Sequence, residues 1–506
     1  MVFADPVVEA AVRLELGSDA PVTCGALADL TRLEIGADSG RAQSLADLAG
    51  ASELGLLVAR GHGLRDLSPL VGLANLRDLR LEDNAVADLA PLARMPQVRR
   101  LHLSGNPVAD LAPLGGLTNL RALTLGDVGA LELAPIQGLV GLEQLELQGN
   151  GLKSLEPLYD LTGLTRLRLD DNAITDLLPL AGMTALEVLY LSRNPLGDLA
   201  PLAGMRKLSE LYARETLLRD LTPLAGLPVL RKLDVRNNEL TSLAPLAGLG
   251  AMNDLWLDGN AVADLSPLSN MRALRLLHAN ANAITSLEPL SGLGALASLR
   301  VGRNAVADLA PLAGLPLTDL DVSRNAVADF GVLAGLSGLT RLALGGNESQ
   351  DFGALAGLAG LVNLDLSGAA LASLEPIAGL TRLEVLNASN TGLKDLAGLA
   401  GFPALRELRL ERNGLTSLAG LGALPQLRVL WLNGNAITDL APLGALAGLE
   451  TLGLSDNALA DLAPLAGLST LGTLALSNNE LREIHALLEL PALSAVSLRE
   501  NCLDLR

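Results

Sequence analysis

The sequence predicts an α/β solenoid, in which short coils of chain stack on one another. Three observations carry this prediction. The chain has 506 residues, more than one hydrophobic core normally holds. Only 2% of its residues are aromatic, although 49% are hydrophobic. A pattern of 22 residues repeats along it, and one such coil cannot bury its own leucines, so successive coils must stack.

Each coil combines a strand signal with a turn signal. In the coil at 98–117, the alternating Leu101 and Leu103 are typical of a short strand with its leucines inward. Asn106 follows at a key position that recurs through 22 coils and is Asn in 16 of them. The other six coils carry Asp38, His62, Val128, Thr216, Ala369 and Thr391 at this position.

Two polar positions in the coil predict backbone capping. The key Asn lies where the chain leaves the strand, so its amide can bond main-chain groups that the turn leaves unpaired. We expect stacked coils to align these amides as a ladder. Four residues further on, from Asp66 to Glu483, the residue is Asp 13 times, Glu twice and Ser five times. We interpret it as the N-cap of a short Leu-x-Pro-Leu turn, which explains most of the net charge of −19 without a cationic partner.

The Leu-x-x-Leu-x-Leu-x-x-Asn pattern resembles the leucine-rich repeat superfamily, in particular the 22-residue class found in bacterial internalins and in leucine-rich regulatory subunits of protein phosphatases. The resemblance implies a right-handed horseshoe or arc with a concave parallel β-sheet and convex 3-10 or short helical turns. It implies no catalytic activity.

The two ends of the chain differ. We expect residues 1–30 to form an N-terminal helical cap and 31–506 the repeat solenoid. Asp5 suits a helix N-cap, Gly17 a helix end, and the segment is similar to the caps of internalin-like proteins. The last coil, 501–506, has no evident cap. Three interpretations are open: the chain is a fragment of a longer protein, a partner covers the last coil, or the end of the solenoid frays.

One stretch of the array, 325–391, is irregular. A residue is missing before Asn325, and Phe330 and Phe352 stand where other coils have Leu. We expect a local change of curvature there, with a hinge as the alternative.

The sequence offers little for catalysis, cofactors or membrane insertion. The four histidines never have zinc-helix spacing, and Cys24 and Cys502 lie far apart. No phosphate-binding glycine loop, basic nucleic-acid face or long apolar run occurs. We therefore expect no metal, no cofactor, no nucleic acid, no membrane insertion and a monomer. The start has no secretory signal, which favours the cytoplasm, or export if the chain is a processed fragment.

The strand position four residues before the key Asn is unusual in composition. Strand alternation places it on the exposed concave face. The chain has 9 Tyr, Trp and His residues, and six of them occupy this position: His102, Tyr190, Tyr212, Trp256, His278 and Trp431. The column also carries Asp234 and Arg300, flanked by Arg214 and Arg236. The stretch from Tyr190 to Arg300 predicts a binding patch of about 25 to 30 Å at the usual strand spacing.

These observations favour a non-catalytic scaffold that binds another protein through its concave face. Tyr, Trp and Arg dominate binding hot spots. The main alternative is a structural or surface-display spacer. In a spacer the exposed strand position would carry only small residues along the whole chain, as it does from Gly453 to Ser497. A carbohydrate-active groove built on Trp256, Asp234 and Asp258 is a weaker alternative.

Overall fold

The computed structural model describes residues 2–17, 20–36 and 40–503. The chain divides into two compact units, an N-terminal unit up to Trp256 and a C-terminal unit from Leu257. Two predictions lie outside the described residues: the repeat position of Asp38, and the chain end at 504–506.

The N-terminal unit begins with two helices and continues with eleven strands that pair in parallel, each with the next along the chain. The helices are α1 Pro6–Leu16 and α2 Cys24–Ala28. The strands are β1 Arg32–Ile35, β2 Leu56–Ala59, β3 Asp78–Arg80, β4 Arg100–His102, β5 Ala122–Thr124, β6 Gln144–Glu146, β7 Arg166–Arg168, β8 Val188–Tyr190, β9 Glu210–Tyr212, β10 Lys232–Asp234 and β11 Asp254–Trp256.

The C-terminal unit has the same pattern of consecutive parallel pairing. Its strands are β12 Leu276–His278, β13 Ser298–Arg300, β14 Asp319–Asp321, β15 Arg341–Ala343, β16 Asn363–Asp365, β17 Val385–Asn387, β18 Glu407–Arg409, β19 Val429–Trp431, β20 Thr451–Gly453, β21 Thr473–Ala475 and β22 Ala495–Ser497. Short 3-10 turns of three to five residues form the return path of the coils in both units. The predicted solenoid of the leucine-rich-repeat class is thereby confirmed.

The core consists of the inward leucines of successive coils. Leu189 and Leu191 are 0% exposed, whereas Tyr190 between them is only half-buried. Because strand side chains alternate between two faces, this contrast confirms the predicted inward and outward positions.

The predicted amide ladder is present. Asn172 Nδ2 donates to the carbonyl oxygen of Leu169 in its own coil at 2.9 Å and of Leu147 in the preceding coil at 3.0 Å. Its Oδ1 accepts from the main-chain N–H groups of Asn150 and Leu152. The same amide thus satisfies main-chain groups of two coils, which sets their spacing. At His62 the buried imidazole takes this role, with Nδ1 3.2 Å from Ala42 N and Nε2 3.0 Å from Ile35 O.

The residue just before each ladder position was not singled out by the sequence. From Gly61 to Glu500 it has a positive φ in every coil, and in most coils it is not glycine. Asp171 and Arg303, with φ of 57° and 56°, are examples. The left-handed conformation lets the chain leave the strand, at a steric cost for every residue with a Cβ.

The recurring Asp makes its predicted bond, but its predicted position was wrong by one residue. Asp264 Oδ1 accepts from the N–H of Ser266 at 2.8 Å, and Leu265 lies between them as the N-cap of the 3-10 turn. The contact is therefore an Asx-type turn that leads into the 3-10 turn.

The N-terminal helix forms as predicted and lies against β1. Asp5 caps it by accepting from the N–H groups of Val7 and Val8, and Gly17 ends it with a φ of 61°. The other carboxylate oxygen of Asp5 accepts from the N–H of Ser44 at 3.1 Å, so one side chain joins the helix to the first coil. The boundary of a separate cap at residue 30 stays a prediction.

In the irregular stretch, Phe330 and Phe352 are each 1% exposed and their ring centroids lie 5.9 Å apart. The two rings fill the inward positions that leucines hold elsewhere. Change of curvature and hinge both stay predictions.

Candidate functional site

Two tyrosines form the centre of the candidate site in the N-terminal unit. Tyr190 and Tyr212 are directly opposite on β8 and β9. Their rings stack with centroids 4.6 Å apart and an interplanar angle of 4°. Both side chains are half-buried, so the stack is an ordered aromatic surface that remains open to solvent on one side.

Two arginines on the preceding strand hold Tyr190. The guanidinium carbons of Arg166 and Arg168 each lie 5.6 Å from the centroid of its ring, within the range of a cation–π interaction. Arg166 Nη1 also donates to the tyrosine hydroxyl at 3.0 Å. Arg168 in turn pairs with Asp170 at 2.9 Å, so its guanidinium group contacts both the tyrosine ring and a carboxylate.

Tyr212 is fixed from the other direction. Its hydroxyl donates to Glu210 at 2.9 Å, and Lys232 pairs with the same carboxylate at 3.1 Å. Burial raises the pKa of Tyr212, and the hydrogen bond to Glu210 raises it further. Burial alone would raise the pKa of Glu210 as well, but the bonds from Lys232 and Tyr212 bring it below its usual value. The phenol therefore stays protonated and the carboxylate stays charged at neutral pH.

Asp234 was predicted to face solvent, and this was wrong: it is only 6% exposed. Arg236 Nε and Nη2 bond its two carboxylate oxygens at 2.8 and 2.5 Å. This bidentate pair covers the carboxylate, because residues two apart on an extended chain share one face. Asp234 is therefore a support for Arg236 and offers neither oxygen freely to a ligand.

A shallow depression of about 240 Å³ lies beside the tyrosine stack. Arg214 lines it, with its Nε 3.2 Å from Glu215 Oε1. The full lining is Arg168, Asp170, Asp171, Tyr190, Ser192, Arg193, Tyr212, Arg214 and Asp234. We call the set of Tyr190, Tyr212, Arg166, Arg168 and Arg214 the tyrosine patch.

The structure places the remaining predicted residues as follows. Trp256 is half-buried at the end of the N-terminal unit, opposite Asp234 on β10. His278 and Arg300 belong to the C-terminal unit, on β12 and β13. Trp431 also belongs to that unit, on β19.

His278 and Arg300 are joined by a hydrogen-bond network. His278 Nε2 lies 3.2 Å from the hydroxyl of Ser298, which donates to Asp319 at 3.0 Å. Arg300 donates to the same oxygen of Asp319 at 2.9 Å. The network therefore joins side chains of three consecutive strands, β12, β13 and β14.

Gly453 is more than a blank position of the column. It is opposite Trp431 on the next strand, and a Cβ at this glycine would overlap the indole ring. The exposed strand position at Gly453 thus lacks a side chain because the indole ring of Trp431 occupies that space.

Sequence reasoning missed Arg166, which contacts Tyr190 twice. The signal was available: the first and third residues of a three-residue strand share a face, so the exposed column has a second column beside it. Residues of this second column, such as Arg166 and Glu210, are close enough to hydrogen-bond to the tyrosine hydroxyl groups.

Membrane-spanning helices and metal sites were also considered as features of other functional classes, and the described chain has the following properties. Within the described part of the chain, no helix combines the length and the apolar character needed to cross a bilayer. Residues 2–17, 20–36 and 40–503 also contain no group of three or more His, Cys, Asp or Glu residues placed to hold a metal ion.

Comparison with known proteins agrees with the geometry. The family model of Leucine Rich repeats (2 copies) matches residues 403–445. A leucine-rich-repeat protein of Leptospira interrogans is 25% identical over 74% of this chain and 94% of its own, with a TM-score of 0.59. The chain therefore matches the leucine-rich-repeat family over residues 403–445, and its fold is that of leucine-rich-repeat proteins.

Other solved leucine-rich-repeat structures are similar to it. The plant peptide hormone receptor RGFR1, in complex with RGF2, is 21% identical over 91% of this chain and 88% of its own, with a TM-score of 0.62. An internalin of Listeria monocytogenes is 22% identical over 98% and 96%, with a TM-score of 0.39. A search of curated proteins found no match.

Proposed function

We propose that this leucine-rich-repeat protein is a non-catalytic scaffold that binds a partner protein through the exposed face of its sheet, with the tyrosine patch as the principal contact. The observation that carries the proposal is the Tyr190–Tyr212 stack at 4.6 Å, fixed from both sides and open to solvent.

The energetic argument rests on preorganisation. Tyrosine and arginine supply large contact areas and dominate interface hot spots. A side chain that is already fixed loses little conformational entropy on binding. Arg166 and Glu210 fix the two hydroxyl groups, so the free protein already holds the rings in one arrangement.

The charges around the patch suit a protein partner. Beside the tyrosine patch, Lys232 pairs with Glu210 and Arg236 pairs with Asp234, so the border of the patch is polar and carries charges of both signs. Such a border gives orientation and specificity more than raw affinity. Trp256 extends the proposed surface in the N-terminal unit, and His278, Arg300 and Trp431 are proposed contacts in the C-terminal unit.

The fold comparison supports an interaction surface of this kind. RGFR1, whose fold this chain resembles, was solved in complex with RGF2. At 21% identity the likeness concerns the fold, and the partner of this chain is proposed from its own side chains.

The test is affinity capture with three matched variants, followed by affinity measurement with the purified partner. Tyr190→Ala with Tyr212→Ala should abolish capture. Tyr159→Ala removes a tyrosine that is 63% exposed but lies in a return turn, and it should have no effect. Tyr212→Phe keeps the stacked ring and should retain most of the affinity.

With the purified partner, Tyr212→Ala should weaken binding by about 2 kcal/mol, or about 30-fold. A partner that binds equally well to the double alanine variant would show that the tyrosine patch is not the interface. If the wild-type chain captures no protein from either the lysate or the surface fraction, the alternative of a structural or surface-display spacer is favoured.

A further inference from the structure

Arg166 differs from the other cations on the strands of the N-terminal unit. Its guanidinium group donates to the hydroxyl oxygen of Tyr190 at 3.0 Å and forms no ion pair with the described residues. The other five Lys and Arg residues of strands β1 to β11 each pair with a carboxylate, at 2.9 to 3.8 Å; they are Arg32, Arg80, Arg100, Arg168 and Lys232. The chain thus leaves one positive charge beside the tyrosine stack without a carboxylate partner.

The neighbours of Arg166 on the sheet account for this difference. The residues opposite it on the two adjacent strands, Gln144 and Val188, carry no charge. Glu210 lies opposite Val188 on the following strand, and it already pairs with Lys232 at 3.1 Å. The nearest carboxylate in this direction is therefore engaged by another cation.

The hydroxyl group of Tyr190 adds a second donor at the same place. A guanidinium group carries donors only, so Tyr190 Oη is the acceptor in its bond with Arg166 and keeps its own hydrogen. No described residue accepts that hydrogen. The hydroxyl of Tyr212 is the opposite case, because it donates its hydrogen to Glu210. Of the two stacked phenols, Tyr190 therefore offers a donor to a ligand, and Tyr212 offers only an acceptor.

A carboxylate is the ligand that matches these donors. Ionised Asp and Glu side chains only accept hydrogen bonds, and their bonds to a guanidinium group are stronger than bonds between neutral groups. Arg168 lies at the same 5.6 Å from the Tyr190 ring as Arg166, but its charge is matched by Asp170. One unmatched positive charge suits one carboxylate better than a phosphoryl group, which carries about two negative charges.

We propose that Arg166 and Tyr190 form a carboxylate-binding subsite of the tyrosine patch, which takes an Asp or Glu side chain of the partner protein. The carboxylate accepts from the guanidinium group of Arg166 and from the hydroxyl group of Tyr190. An apolar residue beside it in the partner covers Val188, which is half-buried. The subsite rests on the proposed function, because it belongs to the same interface.

Selection from a random peptide library displayed on phage, with the full chain immobilised, tests the subsite. Peptides retained by the wild type should be enriched in Asp and Glu, and Arg166→Gln should remove that enrichment. The matched control is Arg168→Gln, which changes the net charge equally but removes a cation that Asp170 already pairs with. It should keep the enrichment at physiological ionic strength, where salt screens charges beyond about 8 Å. Both variants should melt close to the wild-type temperature.

An enriched peptide that has a single Glu, synthesised with an amidated C-terminus, then gives affinities for a side-chain carboxylate alone. Replacing this Glu by Gln should weaken binding to the wild type about tenfold, the scale of a hydrogen bond to a charged group. The same replacement should not change binding to Arg166→Gln. Tyr190→Phe keeps the ring but loses the donor, and it should weaken the Glu peptide at least about threefold. Tyr212→Phe should not weaken it.

Acidic enrichment that persists in Arg166→Gln would overturn the subsite, as would equal affinities of the wild type for the Glu and Gln peptides or an unchanged affinity in Tyr190→Phe. These results would leave the tyrosine patch in place as the interface. Peptides that still bind when Tyr190→Ala is combined with Tyr212→Ala would instead overturn the proposed function, and the subsite with it. A wild-type selection that enriches no peptide would also overturn both.

Discussion

The indole ring of Trp431 occupies the space that a side chain at Gly453 would need, one strand further along the sheet. Asn433 Nδ2 also lies near this space, so the ring and the amide together close it. The glycine and the tryptophan thus depend on each other, although 22 residues separate them.

Gly453→Val should displace the Trp431 ring. In a Trp256→Phe background, Trp431 is the only tryptophan of the chain, and its fluorescence emission should shift to longer wavelength as the ring becomes more exposed. Forcing the ring from its rotamer should cost about 0.5 to 1.5 kcal/mol in the free energy of unfolding. Ala475→Val, on the next strand, is the control and should leave the emission unchanged. An unshifted spectrum in Gly453→Val would contradict the packing described above.

Leu255→Ala should reduce the free energy of unfolding by about 2 to 5 kcal/mol, because it leaves a cavity in the core. Leu255 is 0% exposed, while its neighbour Trp256 is half-buried on the opposite face. Trp256→Ala should therefore change the urea unfolding curve much less. Similar curves for the two variants would mean that the inward and outward faces of β11 are assigned wrongly.

Leu217→Gly should stabilise the protein. Leu217 has a φ of 62° and is 55% exposed, so its Cβ is strained and its side chain buries little. The left-handed conformation costs a residue with a Cβ about 1 to 2 kcal/mol, which exceeds the entropic cost of glycine, about 0.5 to 1 kcal/mol. Leu178→Gly is the control, because Leu178 is 64% exposed but has no positive φ. The melting temperature should rise for Leu217→Gly and fall for Leu178→Gly. A fall in both variants would contradict the proposed backbone strain at Leu217.

The Asx turns should contribute stability that is lost in acid. Hydrogen bonds from the hydroxyl groups of Thr222 and Ser266 hold the pKa of Asp220 and Asp264 below the usual value. A carboxylate with a lowered folded-state pKa stabilises above its unfolded pKa, about 3.9. The contribution disappears as the pH falls through the folded value.

The double variant Asp220→Ala with Asp264→Ala should consequently melt below the wild type at neutral pH, and the difference should shrink below about pH 4. Asp160→Ala removes an exposed aspartate that makes no hydrogen bond within the described chain, and it should show no such dependence. A difference that is constant with pH would assign the effect to something other than the carboxylate.

The general architecture was predictable because it depends on spacing along the chain. Leucines that alternate in a strand must point inward together, and an amide that recurs every 22 residues must stack on its equivalent. The candidate site was predictable only as a column. Tyr190 and Tyr212 were found by their shared position, but their partners Arg166 and Glu210 depend on which rotamers reach across a strand.

The sequence by itself therefore determined the period, the inward face, the ladder and the exposed column, since each follows from the repeat of backbone geometry. Only the tertiary structure decided that Asp234 is covered by Arg236 and that Trp431 covers Gly453. The physical reason is that these features depend on side-chain rotamers and on small displacements between coils. Residues far apart in the chain meet there, and a repeat that specifies each coil separately does not encode those contacts.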